Sequence, residues 1–244
     1  MINFFRSIFA PPRHLILILA MIWLGLTLSE KRADRHGIPK ETLSNLVYYS
    51  LLGYLLGGRL LFVLENMSAF TQSPLSMFSP NTDLFDPVGA LVTALLVGYI
   101  FGQRHRLPLW PTLDALTPLF AIVAIGLHLS HLAAGTAFGR PTSLPWGINL
   151  WNATRHPTQI YEFVVSILIF AFIWFRKTVF PAGFDFLWFS TLTAGSRLFL
   201  EAFRGDSTLT IAGIRAAQLI AWIVLAAVLL LSEILQARKD KSEV

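Results

Sequence analysis

The sequence predicts an all-α membrane protein, a bundle of about seven transmembrane helices with a small outer, periplasmic cap. Three observations predict it. The 244-residue chain is 55% hydrophobic, with a mean hydropathy of +0.61. Only 14% of it is charged, against about a quarter in a soluble globular domain. Its apolar residues gather into stretches at about 14–29, 43–64, 86–102, 114–137, 159–175, 182–203 and 213–235, each near the roughly 20 residues that cross a bilayer. Spans so closely spaced make a single transmembrane domain over residues 1–244.

Taken in order, Met1 to Arg13 carries Phe4, Phe5 and Phe9 with Arg6, Pro11 and Pro12, which suits a short helix lying in the outer interface. The first apolar stretch resembles a cleavable leader in length. No small-x-small site follows it, however, and Glu30, Lys31 and Arg32 stand where a stop-transfer flank belongs, so it is read as a retained helix. The second span contains Gly53, Gly57 and Gly58, a small-xxx-small pattern that admits a close neighbour helix. Residues 65–85 hold Ser, Pro, Asn and Thr without Lys or Arg, an exposed connector. The segment Phe138 to Thr158, with Pro141, Pro145, Trp146, Gly147 and Trp151, is expected to fold as a cap at headgroup depth.

Charge sets the expected topology. The nineteen Lys and Arg are scattered through short loops, with no basic patch interleaved with aromatics, so nucleic acid is not an expected partner. Eleven of them, including Lys31, Arg35, Arg104, Arg176, Lys177 and Lys239, fall after the first, third and fifth spans and in the C-terminal tail; six fall on the opposite side. The positive-inside rule then puts the N-terminus outside and the C-terminus in the cytoplasm. The absence of Cys excludes disulfides, thiolate metal sites and a cysteine nucleophile supplied by this chain.

Ionisable groups inside spans are costly and mark candidate sites. Arg197, Glu201 and Arg204 in SRLFLEAFR stand at i, i+4 and i+7, within about 60° of one another on one helix face. Two guanidinium groups around one carboxylate suit a lipid phosphate; the alternative is a structural Arg197–Glu201 pair with Arg204 snorkelling. His128, His131 and Gly135 share a face at i, i+3 and i+7, where the imidazoles can contact an anionic headgroup, relay a proton or bond to neighbouring helices. No metal is expected, because no third ligand stands at a standard spacing. Nor does any motif call for a cofactor. Arg59 follows the pair Gly57-Gly58, which leaves room for a headgroup or a partner backbone beside the guanidinium; the alternative is a structural inter-helix salt bridge. In RHPTQIYE, Pro157 forces a turn, while Thr158 and Glu162 lie near capping offsets. His156 and Gln159 are left over for a site.

The stretches RHPTQIYE, GRPTSLPWG, GYLLGGRLLFVLEN and SRLFLEAFR, on these spans, resemble the prolipoprotein diacylglyceryl transferase family, from about Pro12 to Leu235. The resemblance implies seven spans with the N-terminus out, in the bacterial cytoplasmic (inner) membrane. It implies an enzyme that moves a diacylglyceryl group from phosphatidylglycerol to the thiol of a lipobox cysteine on a secreted preprotein. The attacking cysteine then belongs to the substrate. The partners implied are phosphatidylglycerol or a related anionic glycerophospholipid, the preprotein acceptor and the bilayer. The positions that match are Arg59, Gly139, Arg140, His156, Gln159, Tyr161, Glu162, Arg197, Glu201 and Arg204.

The family signature G-R-x-G-N-F-x-N-x-E-x-x-G falls on Leu127 to Gly139, where only the last glycine matches. His128 stands for its Arg, His131 for the first Asn, Ala134 for the second Asn and Thr136 for its Glu. The family's third-span His has no equivalent in DPVGALVTALL, and its Tyr four residues before the sixth-span Arg is Thr193. Two readings follow. In one, the chain is a diacylglyceryl or related glycerophospholipid transferase, with His128, His131, Arg197 and Glu201 as catalytic residues and the other matched positions binding substrate. In the other, it is a non-catalytic membrane protein that binds lipid headgroups.

Overall fold

Helices occupy the expected apolar stretches, and their ends are set by identifiable residues. The structure, a computed structural model, describes residues 2–71, 73–79, 81, 84–176, 180–210 and 213–242. Met1 and Lys177, which the sequence reading includes, lie outside the described residues. The elements are α1 (Ile2–Ile8), α2 (Leu15–Ala33), α3 (Lys40–Glu65), α4 (Met67–Thr71), α5 (Pro87–Arg104), α6 (Leu109–Ala134), β1 (Ile148–Leu150), β2 (Ala153–Arg155), α7 (Thr158–Phe175), α8 (Phe184–Leu200) and α9 (Ala216–Ser242).

Among the described residues, five helices are long and apolar enough to cross a membrane: α3, α5, α6, α7 and the Ala216–Ala237 part of α9. The count falls short of seven for two reasons. The last turn of α2 holds Glu30, Lys31 and Arg32, and α8 has only 17 residues, among them Asp185 and Arg197.

Several ends differ from the expected spans, and two of them bear on the site. The fourth was expected to run to 137, but α6 stops at Ala134, where Gly135 takes φ +73° and its N–H returns to the His131 carbonyl at 2.8 Å. This is a glycine C-terminal cap, so Gly135 does not share the helical face of His128 and His131. The sixth was expected to run to 203, but α8 ends at Leu200 and continues as a tight turn, Glu201–Phe203.

The chain divides into two compact units, Ala33–Thr112 and Met1–Arg32 with Leu113–Val244. In the first, α3 lies along α5. Gly57 faces the Thr93 side chain and Gly58 faces Phe85, while a methyl group at Gly53 would stand 2.9 Å from Val97; the three glycines let the two backbones approach. Asp86 starts α5, accepting from the N–H groups of Val88 at 3.1 Å and Gly89 at 2.8 Å, with Pro87 in the first turn. Leu55, Leu56, Leu91 and Leu95 are exposed. Outward apolar rows of this kind are what lipid, and not water, accommodates.

In the second unit α2 packs against α6 through small residues: a methyl group at Gly126 would meet Met21 at 2.7 Å, and one at Gly25 would meet Leu119 at 3.0 Å. Ser29 Oγ accepts from the Leu119 N–H at 3.0 Å, next to Pro118, where the helix ladder is interrupted. Arg32 donates to the carbonyls of Ile173 and Trp174, closing the C-terminal end of α7. Asp114 accepts from the N–H groups of Gly183 at 2.5 Å and Phe186 at 2.9 Å and so caps α8. The α9 helix packs on α8, with Trp222, Ile223, Leu229 and Leu230 exposed.

Between α6 and α7 the chain forms the structured segment expected of the cap. Strands β1 and β2 pair antiparallel, with Ile148 opposite Arg155 and Leu150 opposite Ala153. Trp151 and Asn152 make the turn at φ +54° and +59°, the left-handed pair that a two-residue hairpin requires. The Trp151 indole N–H donates to the Gly135 carbonyl at 2.9 Å, tying the hairpin tip to the end of α6.

Candidate active site

Glu162 is the centre of the ionisable cluster. It sits one turn into α7 with its side chain 4% exposed, and a carboxylate buried that deeply requires partners of opposite charge. Arg197 of α8 brings Nη1 to 2.6 Å from Glu162 Oε1, and Arg204 brings Nη1 to 3.4 Å from the same oxygen. His128 of α6 brings Nδ1 to 3.2 Å from Oε2. Three chain segments therefore converge on one carboxyl group.

The sequence-derived stripe is only half realised. Arg197 Nη2 does reach Glu201 Oε2 at 3.0 Å, the expected i, i+4 pair. Arg204, however, is past the end of the helix in extended conformation (φ −74°, ψ 141°), and its Nε and Nη2 bond to Asp206 Oδ1 at 2.9 and 2.8 Å. The carboxylate shared by the two arginines is Glu162, not Glu201. His131 stands one turn after His128, with the two rings edge to face at 6.2 Å.

Gly139 and Arg140 act through their backbone. Gly139 bridges to Arg204, the Arg140 N–H donates to the Phe203 carbonyl at 2.9 Å, and the Arg140 carbonyl accepts from the His156 N–H at 3.0 Å. A side chain at Gly139 would collide with the His156 backbone. The Arg140 side chain is exposed.

Thr158 does not cap α7, contrary to expectation. Pro157 precedes the helix without a side-chain cap, and the Thr158 hydroxyl donates instead to the Ala137 carbonyl at 2.6 Å. Gln159 Nε2 donates to the Thr136 carbonyl at 2.8 Å. Both side chains hold down the backbone that α6 releases at its end.

His156 lies 3.5 Å from the Tyr161 hydroxyl, which also accepts from the Trp146 indole N–H at 2.8 Å. These three line a groove of about 440 Å³ with Leu144, Phe199 and Phe203. The groove walls are apolar, in contrast to the charged cluster around Glu162.

Arg59 belongs to the other unit. Neither a headgroup nor an inter-helix carboxylate is needed to satisfy it: its three nitrogens donate to the carbonyls of Ser76, Met77 and Leu84 at 2.6–2.7 Å. The guanidinium anchors Ser76, Met77 and Leu84 of the connector, whose other described residues, Leu75 among them, are largely exposed as expected.

Sequence reasoning reached Glu162 only as a matched position near a capping offset, and it did not single out Asp206. The run Arg204-Gly205-Asp206-Ser207 is rich in helix-ending residues, and could have signalled that Arg204 leaves the helix.

The profile of the family described as prolipoprotein diacylglyceryl transferase matches residues 14–233. The chain belongs to the prolipoprotein diacylglyceryl transferase family. Members similar to it are named phosphatidylglycerol–prolipoprotein diacylglyceryl transferase. The protein of Gloeobacter violaceus is 33% identical over 239 residues, 90% of this chain and 87% of that protein. That of Trichormus variabilis is 28% identical over 223 residues, 84% and 78% of the two chains. That of Coxiella burnetii is 31% identical over 160 residues, and there the match spans 61% of the relative's length.

Proposed function

We propose that this chain transfers a diacylglyceryl group from phosphatidylglycerol, or a related anionic glycerophospholipid, to the lipobox cysteine of a secreted preprotein. It does so at the outer side of the bacterial cytoplasmic (inner) membrane, with the N-terminus outside and the C-terminus in the cytoplasm. The observation that carries this reading is the convergence of Arg197, Arg204 and His128 on Glu162, in a member of this family.

The chemistry is a displacement at the glyceryl carbon. The C–S bond forms from the substrate thiol, the C–O bond to phosphate breaks, and sn-glycerol 1-phosphate leaves with the bonding pair. Arg197 carries five N–H donors. It uses Nη1 on Glu162 and Nη2 on Glu201, and its side chain is 33% exposed, so donors remain for the phosphate oxygens on which charge develops. Arg204 adds positive charge beside it. Glu162 and Glu201 hold the Arg197 fork in place before substrate arrives, which is the preorganisation such stabilisation needs. His128 and His131 supply imidazole nitrogens to receive the thiol proton. The groove beside His156 and Tyr161 offers apolar walls to the acyl part of the donor. The remaining matched positions support this arrangement: Gly139 and Arg140 through the backbone, Gln159 through its side-chain bond to the Thr136 carbonyl, and Arg59 by anchoring the segment after α4.

A second reading, a headgroup-binding protein without transfer activity, is favoured by one observation: Ala134 lacks the amide of the family's Asn, and Thr136 lacks the carboxylate of its Glu. Complementation of cells depleted of their own transferase, together with transfer of labelled diacylglyceryl to a lipobox peptide by the purified chain, separates the two. Growth and labelling are expected. Lipid binding with neither growth nor labelling establishes the second reading.

A further inference from the structure

We infer that His128, His131 and Glu162 form a binding site for one divalent transition-metal ion of the zinc class. One ligand atom from each lies within 4.8 Å of the others. Four observations carry the inference, and none depends on whether the chain transfers lipid.

The first is three buried polar atoms that complete no hydrogen bond: His128 Nδ1, His131 Nδ1 and Glu162 Oε2. Buried polar atoms in proteins are almost always satisfied; others without a partner stand elsewhere among the described residues, such as Arg6, His14 and Arg176, and three of them belong to this triad. Each is a good ligand atom for zinc or a neighbouring first-row metal.

The second is a mismatch of distance and direction. His128 Nδ1 is 3.2 Å from Glu162 Oε2, yet the two are not aligned as donor and acceptor. Two ligands of one tetrahedral ion, each about 2.0–2.2 Å from it, stand roughly 3.3 Å apart and point at a third place instead of at each other. The His128–Glu162 spacing has that character already, and His131 offers a third ligand atom within 4.8 Å of the other two.

The third is how the carboxylate is held. Glu162 Oε1 takes the Arg197 and Arg204 guanidinium groups and leaves Oε2 facing the imidazoles. Outer partners of a liganding carboxylate orient it in this way.

The fourth is charge. The Arg197 and Arg204 guanidinium groups oppose a cation, but Glu162, Glu201 and Asp206 outnumber them in the contacts seen. With the histidines neutral, these five groups carry one net negative charge. Three protein ligands leave a coordination position open to water or to a substrate sulfur or oxygen; while the ion is bound, the two imidazoles would be ligands and not the acceptors of the thiol proton.

The test uses the full chain, purified in detergent on a tag without histidine, stripped with chelator and titrated with Zn²⁺ or Co²⁺ alone. The parent is expected to take up one ion per chain, with the visible absorption of a low-symmetry cobalt site and a higher melting temperature in zinc. His131→Gln and Glu162→Gln are expected to lose at least tenfold in affinity. Should either fail to elute as a single folded species, His131→Cys retains a ligand and is expected to bind with an altered cobalt spectrum. No stoichiometric uptake by the parent overturns the inference. So does uptake unchanged in His131→Gln or Glu162→Gln, or a cobalt spectrum in His131→Cys identical to the parent's. Loss of transfer activity with metal binding intact would instead count against the transferase reading.

Discussion

Arg197 and Glu162 meet across the α7–α8 interface with 2.6 Å between Nη1 and Oε1. Their residues are 35 positions apart in the chain, and the contact ties a partly exposed arginine to a carboxylate that solvent barely reaches.

Removing that carboxylate leaves two guanidinium groups in a site built for their neutralisation. Breaking a buried ion pair costs about 3–5 kcal/mol, and the lower end applies because Arg197 is a third exposed. Glu162→Gln is therefore expected to lower the melting temperature in detergent by about 6–12 °C, from roughly 2–4 °C per kcal/mol in a chain of this size. A melting temperature within 1 °C or so of the parent's would mean that solvent, not Glu162, neutralises the arginines.

Arg197→Lys keeps the charge and loses the fork. A single ammonium cannot span Glu162, Glu201 and a phosphate together. A charged hydrogen bond is worth about 1.5–3 kcal/mol, so phosphatidylglycerol binding or transfer is expected to fall about tenfold to a hundredfold. Equal binding by the Lys variant would reduce the Arg197–Glu201 pair to a structural role.

Arg59→Ala releases three carbonyls at once. The segment from Ser73 to Leu84 is then expected to be cut faster by protease added to the detergent-solubilised protein, with headgroup binding by the other unit's arginines retained. Protease resistance equal to the parent's, with lost lipid binding, would move Arg59 from anchor to ligand.

A reporter fused after Lys241 is expected to read cytoplasmic, and one inserted at Asn81 to read outside, since the loops expected on the cytoplasmic side carry eleven basic residues and those expected outside carry six. A periplasmic C-terminus would invert the placement of the Glu162 cluster relative to a secreted substrate.

Positions of the long helices were legible because hydropathy is a local property, and every long helix lies within a few residues of its apolar stretch. Their ends were less so. Gly135 inside an apolar run looks like a packing glycine, and only its φ of +73° shows it as a cap. Within the site, the i, i+4 pair Arg197–Glu201 could be seen from spacing, whereas the role of Glu162 could not. Its partners come from α6, α8 and the turn beyond α8, and no spacing within one helix encodes a meeting of three segments. For the same reason the pair His128–His131 lacked a third ligand in sequence, although α7 places one beside it. Arg59 shows the converse: a charge inside a span was read as seeking an anion, and backbone carbonyls of a nearby turn satisfied it.

Gly139 and Gly205 abut, with only 2.7 Å from the place a Gly205 side chain would begin to the Gly139 carbonyl oxygen. Arg204 hangs from this crossing through its bridge to Gly139. An alanine at either glycine would wedge the two strands apart and carry the guanidinium away from Glu162, and displacements of about 1 Å at such a distance can cost roughly a hundredfold in rate. A genetic screen would then score two neutral glycines, one buried and one exposed, as severely as the arginine itself, and a suppressor would be sought most profitably in the opposing strand, not among the charged residues.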